Sequence, residues 1–177
     1  MLAICLWSAL GWAAVADEVA LKMRARDGWG DCEAVWALGD RASVRDALAA
    51  QVSVPLPPWA AMRAAACLAE RPEDPQVRTL MVSWTADAAS PGLARVTLSR
   101  LERLPEADAL RAAQQTLALD LVPLRRHLRR ALDQSPYASV RALADLKPGE
   151  VVKPVDSGAQ VGDGGEAGAV KVQAPAQ

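Results

Sequence analysis

Few side chains in this sequence have the types and spacing to do chemistry. His127 is the single histidine, set among cations in Leu124-Arg125-Arg126-His127-Leu128-Arg129-Arg130. It reads as a surface residue on a charged helix face. No Ser or Cys sits in a recognisable nucleophile turn. One histidine and two cysteines cannot complete a zinc site without an unusual set of carboxylates. Gly162-Asp163-Gly164-Gly165-Glu166 lacks the alternating oxygen ligands of a calcium loop, and no helix follows it to receive a phosphate. No catalytic residue, metal or cofactor is therefore expected, and the chain reads as a non-enzyme.

The arginines offer more. Arg125 and Arg129 are four apart, as are Arg126 and Arg130, so a helix would carry them as two cationic stripes flanking a leucine face. Arg95, Arg111 and Arg141 on neighbouring helices would extend the stripes. A planar guanidinium suits carboxylate and phosphate groups. Arg125, Arg126, Arg129 and Arg130, with Arg111 and Arg95, are thus the candidate binding residues, for an acidic protein segment or an anionic envelope polymer. The alternative is a solvated face balanced by Glu102, Asp108, Asp120 and Asp133. A formal net charge of -1 provides no global field to recruit nucleic acid or an anionic membrane.

Cysteine usage goes with the amino terminus. Residues 1–16, MLAICLWSALGWAAVA, carry no charged side chain and end in Ala14-Val15-Ala16, a pattern that signal peptidase accepts. Asp17-Glu18 interrupts the apolar run before the roughly 20 residues a membrane span needs. Cleavage after Ala16 and a secreted or periplasmic mature chain, with no stable membrane span, are expected; an uncleaved short anchor or plain core is the alternative. Cys5 would leave with the leader. An even pair, Cys32 and Cys67, would then remain, which in an exported chain predicts one disulfide closing a loop of about 35 residues. Two separate buried thiols are the competing reading.

The elements that must position these groups are helical. Hydrophobic residues make up 51% of the chain and charged residues 23%, a globular balance. Aromatics are only 4%, without Phe, so Ala, Leu and Val supply the apolar volume and favour helix. No segment alternates with period two, and no sheet is predicted. After a charged lead-in over 17–30, helices are expected at about 31–38, 42–51, 58–70 and 75–85. Further helices start at Pro91, at Pro105-Glu106, near Asp120 and at Pro136, the last ending near Leu146. Asp74-Pro75, Ser90-Pro91 and Ser135-Pro136 are start signals, because proline at the first helical position loses no bond and the preceding side chain can cap. Gly39 stands where a helix-terminating glycine belongs. Trp36, Trp59 and Trp84 fall at inward positions, as stacked core or as an aromatic groove. Val151 to Gln177, rich in Gly, Ala, Pro and Val, is expected to be disordered, so the chain divides into 1–16, 17–30, a helical domain over 31–146 and a tail over 147–177.

One arginine per helix, Arg45, Arg63, Arg78, Arg95, Arg111, Arg126 and Arg141, recurs at a spacing near 16 and is read as outward-facing. Two such steps make a unit near 32, in the range of helical repeats. Asp74-Pro75-Gln76-Val77-Arg78 and Ala138-Ser139-Val140-Arg141-Ala142-Leu143 approach D-x-x-V-R-x-x-A-A-x-A-L, and Met62-Arg63-Ala64-Ala65-Ala66 matches its middle. Over about Asp31 to Leu146 the chain resembles the HEAT-repeat family of α-solenoids, particularly the short bacterial kind. The resemblance implies an all-α, right-handed superhelix of paired helices, about seven or eight in number, whose surface binds other proteins. The expected function is an exported, non-enzymatic module that binds a protein partner in the cell envelope, with an acidic partner the kind its arginines suit. Some relatives are linked to bilin lyase work, which makes a lyase-type enzyme or subunit the alternative, and a structural spacer a third. Oligomeric state is not legible.

Overall fold

The computed structural model describes residues 2–25, 31–53 and 58–146, with side chains from Ala13 onward. The Gly28-Trp29-Gly30 break, Pro55 and Pro57 of the proline turn, and the tail from Lys147 lie outside the described residues, as does Cys5's side chain. Among the described residues all regular structure is helical. The α-helices are α1 (Leu2–Arg24), α2 (Cys32–Trp36), α3 (Arg41–Ser53), α4 (Pro58–Leu68), α5 (Pro75–Trp84), α6 (Pro91–Leu98), α7 (Glu106–Leu119), α8 (Val122–Gln134) and α9 (Ala138–Arg141). Short 3-10 turns occur at Leu101–Arg103 and Ala142–Asp145. No helix among the described residues is long and apolar enough to cross a membrane.

The start signals act unequally. Asp74 caps α5 by accepting from the Gln76 N–H at 2.8 Å, with Pro75 in the first turn. Pro91 likewise opens α6, but Ser90 makes no capping bond. Pro136 lies outside the last helix, which starts at Ala138; Ser135 is buried and its Oγ accepts from the Tyr137 N–H. Gly39 does not adopt left-handed backbone. A Cβ there would come within 3.0 Å of Val15, so a close approach of α1, rather than a helix cap, explains the glycine.

Helices α3 and α4 pack as a pair, as do α5 and α6, and α7 and α8. Across the pairs, α4, α6 and α8 contact in succession, and α5, α7 and α9 form a second succession. Helix α1 covers α3 and α4 at the amino-terminal end. Its Val19 and Met23 are fully buried in the same core as Val44, Leu48, Leu68, Met81, Leu101 and Val140. The packed body therefore includes the segment read as a charged lead-in, because 17–24 continue the helix and present two apolar residues one turn apart. Val15 and Ala16 pack against that core as well.

Polar bonds tie each pair to the next at separations close to one unit. Arg45 Nη1 donates to Asp74 Oδ2 at 3.3 Å across 29 residues, and Thr85 Oγ1 lies 2.8 Å from Gln115 Oε1 across 30. Arg78 pairs with Asp108 at 3.2 Å, and Tyr137 donates its hydroxyl to the Leu104 carbonyl at 2.9 Å.

Cys32 and Cys67 form the expected disulfide, linking α2 to α4 across a sequence separation of 35. Trp36 of α2 donates its indole N–H to the Cys67 carbonyl at 3.0 Å, and Arg71 lies over its ring. Trp36 and Trp84 are buried, and Trp59 is half-buried. A three- and four-residue spacing through α4 would put Trp59, Met62, Ala66 and Cys67 inward; Cys67 is buried and Trp59 and Met62 are half-buried, and only Ala66 departs from it. Ala60, Ala64, Ala65, Cys67 and Leu68 are buried, while Ala66 is exposed. Apolar residues surround almost the whole helix, so periodicity alone could not choose its inner side. Arg63 corrects the one-outward-arginine pattern: it is only 7% exposed and donates to the Ala25 carbonyl at 2.9 Å.

Two carboxylates make the fold acid-sensitive. Burial pushes Asp74 up, but the Gln76 N–H and Arg45 outweigh it and hold the acid below its ordinary value. Burial likewise raises Glu70, and Arg100 and Arg103 outweigh it. A depressed native value means the unfolded chain binds more protons near its own titration range. The stabilisation is therefore complete above that range and is lost as pH falls through the native values. Denaturant midpoints are expected to drop between roughly pH 5 and pH 3. The Asp74→Asn, Glu70→Gln double variant is expected to be less stable at neutral pH and to show a shallower decline.

Candidate functional site

Helix α8 has the sharpest division of faces in the chain. Leu124, Leu128, Ala131 and Leu132 are buried, whereas Arg125, Arg126, His127, Arg129 and Arg130 are exposed. The three- and four-residue leucine spacing that predicts this helix also decides which way its arginines point.

The two cationic stripes lie against different surroundings. Arg125 donates from Nε and Nη2 to the two oxygens of Asp120, both at 2.9 Å. This bidentate pair raises the already high pKa of the guanidinium. Asp120 ends α7 in left-handed backbone, φ 44° and ψ 37°, a conformation that aspartate tolerates better than most residues. The turn aims its carboxylate at α8. Arg129 donates to the Ala144 carbonyl at 2.9 Å and pairs with Asp133 at 3.3 Å. Asp120 and Asp133 thus balance the first stripe locally, while Asp108 is engaged by Arg78 instead.

Beside that stripe, between α7, α8 and the 3-10 turn Ala142–Asp145, lies a cleft of about 200 Å³. Its apolar lining includes Leu117, Leu124, Leu128, Leu132, Leu143 and Leu146, with half-buried Leu121 also exposed to it. Arg125 and Arg129 share the lining, with side chains 55% and 61% exposed, so they frame its mouth. The second stripe faces the other way. Arg130 and His127 line a polar cavity with Glu102 and Gln134, toward the end of α6. Arg95 on α6 and Arg111 on α7 are exposed but line neither cavity. Arg141 donates to the Ser135 carbonyl at 2.7 Å. The candidate arginines therefore do not form one continuous track. Among the described residues no group of three His, Cys, Asp or Glu side chains is placed to hold a metal ion.

The cleft is not visible in the leucine pattern, which marks those residues only as an inner face. Which part of that face is covered depends on the elements that pack around α8 in space.

No protein-family model matches the chain, and no curated protein or solved structure matches it either. The described residues show an all-helical body, the Cys32–Cys67 disulfide and an arginine-framed apolar cleft beside α8.

Proposed function

We propose that this chain is a non-enzymatic, HEAT-like right-handed helical stack that works outside the reducing cytoplasm and grips a protein partner in the α7–α8 cleft. The cleft is the observation that carries the reading. Its volume, about 200 Å³, is below the roughly 300–1,000 Å³ typical of small-molecule pockets. It suits a few apolar side chains inserted from a partner, with acidic neighbours meeting Arg125 and Arg129. A few buried anchors can dominate the energy of such an interface. Support for the stack comes from the two successions of helices and from bonds that repeat at about one helix pair. Support for the compartment comes from the disulfide, which oxidising environments preserve.

The test is affinity recovery of the oxidised chain from its native envelope extract after mild crosslinking. Wild type is compared with Leu121→Asp, at the half-buried edge of the cleft, and with Arg129→Glu. One stoichiometric protein is expected with wild type. Its retention is expected to fall by about 30-fold or more in Leu121→Asp, as for an interface anchor, and substantially in Arg129→Glu. Thermal melts must show that both variants remain folded. Equal recovery by all three proteins overturns the reading.

A further inference from the structure

A separate cavity, sharing no lining residue with the leucine cleft, opens beside the disulfide. Its volume is about 740 Å³, within the roughly 300–1,000 Å³ typical of small-molecule sites. Four arginines line it, Arg63, Arg71, Arg100 and Arg103, against two carboxylates, Glu33 and Glu70. We propose that this cavity binds a small organic phosphate monoester, gripped by Arg100 and Arg103 beside Trp36. The site is independent of the α7–α8 cleft and of the partner reading built on it.

The fold assembles the cavity from four places in the chain. The Cys32–Cys67 disulfide ties α2 to α4, which sets Cys32, Glu33 and Trp36 beside Arg63. Glu70 and Arg71 follow the end of α4, Arg100 follows α6, and Arg103 closes the first 3-10 turn. Glu70 is the organiser. Its Oε1 accepts from Arg100, its Oε2 accepts from Arg103 at 3.1 Å, and its carbonyl accepts from Arg103 Nη2 at 3.2 Å. One carboxylate thus holds two guanidinium groups side by side while offsetting only one of their two charges. Each guanidinium has five N–H donors. These contacts use one from Arg100 and two from Arg103, and the two side chains stay 39% and 41% exposed.

The remaining lining fixes the ligand class. Arg71 reaches Glu73 only at 3.8 Å and lies over the Trp36 ring. Arg63, held by the Ala25 carbonyl, adds charge from the buried side. Four cations against two anions leave an excess that a phosphate monoester, at about −1.5 to −2 near pH 7, would match. Its oxygens accept forked guanidinium donors. A single carboxylate would offset only half of the excess. Inorganic phosphate would leave most of the volume unfilled, whereas Trp36 and Ala66 offer apolar wall to a carbon skeleton.

The test is calorimetric titration of the full oxidised chain with inorganic phosphate, glycerol 3-phosphate and glucose 6-phosphate, beside glucose and succinate. Glycerol 3-phosphate and glucose 6-phosphate are expected to bind at one site with a Kd of about 1 mM or tighter. Inorganic phosphate is expected to bind more weakly, and glucose not at all. Arg100→Gln and Arg103→Gln should each weaken glucose 6-phosphate by about tenfold or more. Arg95→Gln, exposed on α6 and outside the cavity, should change it by less than about twofold. In the wild-type chain the Trp36 indole N–H resonance should shift along the same isotherm, a readout that needs no variant. Absence of saturable phosphate binding overturns the proposal, as does succinate binding as tightly as glucose 6-phosphate. An equal loss in Arg95→Gln, or a Trp36 resonance that stays still, overturns it as well. Leu121→Asp is expected to leave phosphate affinity unchanged, so this site and the partner cleft stand or fall separately.

Discussion

Reducing the Cys32–Cys67 disulfide, or replacing both cysteines with serine, is expected to remove about 4 kcal/mol of stability by the chain-entropy relation for a 35-residue loop. That is a large share of the roughly 5–15 kcal/mol by which domains are stable. The reason for so strong a dependence lies in α2. It has five residues, far below the length at which a helix persists unaided. Its attachments include Val35 and Trp36 in the core, the indole bond to the Cys67 carbonyl, the Arg71 guanidinium over the Trp36 ring, and the disulfide. Opening the cross-link leaves α2 held by non-covalent contacts alone, most of them made by Trp36. Urea unfolding of the oxidised protein, the reduced protein and the Cys32→Ser, Cys67→Ser variant measures the effect, with tryptophan emission reporting release of Trp36. Midpoints that agree within error across the three samples would show that the covalent link is not what secures α2.

The second large effect is expected from Met81→Ala, at about 2–5 kcal/mol. Met81 is 0% exposed, in the middle of α5, and its carbonyl accepts from Thr97 Oγ1 of α6 at 2.8 Å. The core cluster to which Met81 belongs is rich in alanines, whose short side chains have no rotamers with which to fill a space left behind. Lost transfer energy and an unfilled cavity therefore add. Leu80→Ala on the same helix is the internal comparison, because Leu80 is half-buried and its truncation opens to solvent. Arg126→Ala, on an exposed site of α8, is expected to stay within about 0.5 kcal/mol. Denaturant unfolding of the three variants checks the order. A cost for Met81→Ala no larger than for Leu80→Ala would mean that α5 is not packed as its burial indicates.

Much of this architecture is legible in residues taken alone. The Asp74-Pro75 start and the leucine spacing of α8 each depend on local chemistry: a cap and a period. Where the local pattern is ambiguous, the structure departs from it. Helix α4 is apolar nearly all round, so periodicity leaves the limits of its inner face open, and the arginine spacing turns Arg63 outward when it is buried. Gly39 has the sequence position of a cap, but its reason is Val15 of α1, distant in the chain. The amino-terminal segment after Asp17 has the composition of a charged lead-in, yet Val19 and Met23 sit one turn apart and enter the core.

The candidate site divides in the same way. That α8 carries four arginines beside a leucine face derives from helical geometry, because neighbours three and four apart share a side. That Arg125 and Arg129 frame an apolar cleft while Arg130 turns toward His127 and Glu102 does not. It depends on where α7, the end of α6 and the last 3-10 turn fall around α8. Period and propensity act along the chain, so the helical character of the described residues is legible in it, whereas the Cys32–Cys67 pair is expected from a count only when Cys5 is set aside with the leader. Only the tertiary structure decided which leucines stay uncovered, because coverage is set by residues brought together across 15 to 33 positions of intervening chain.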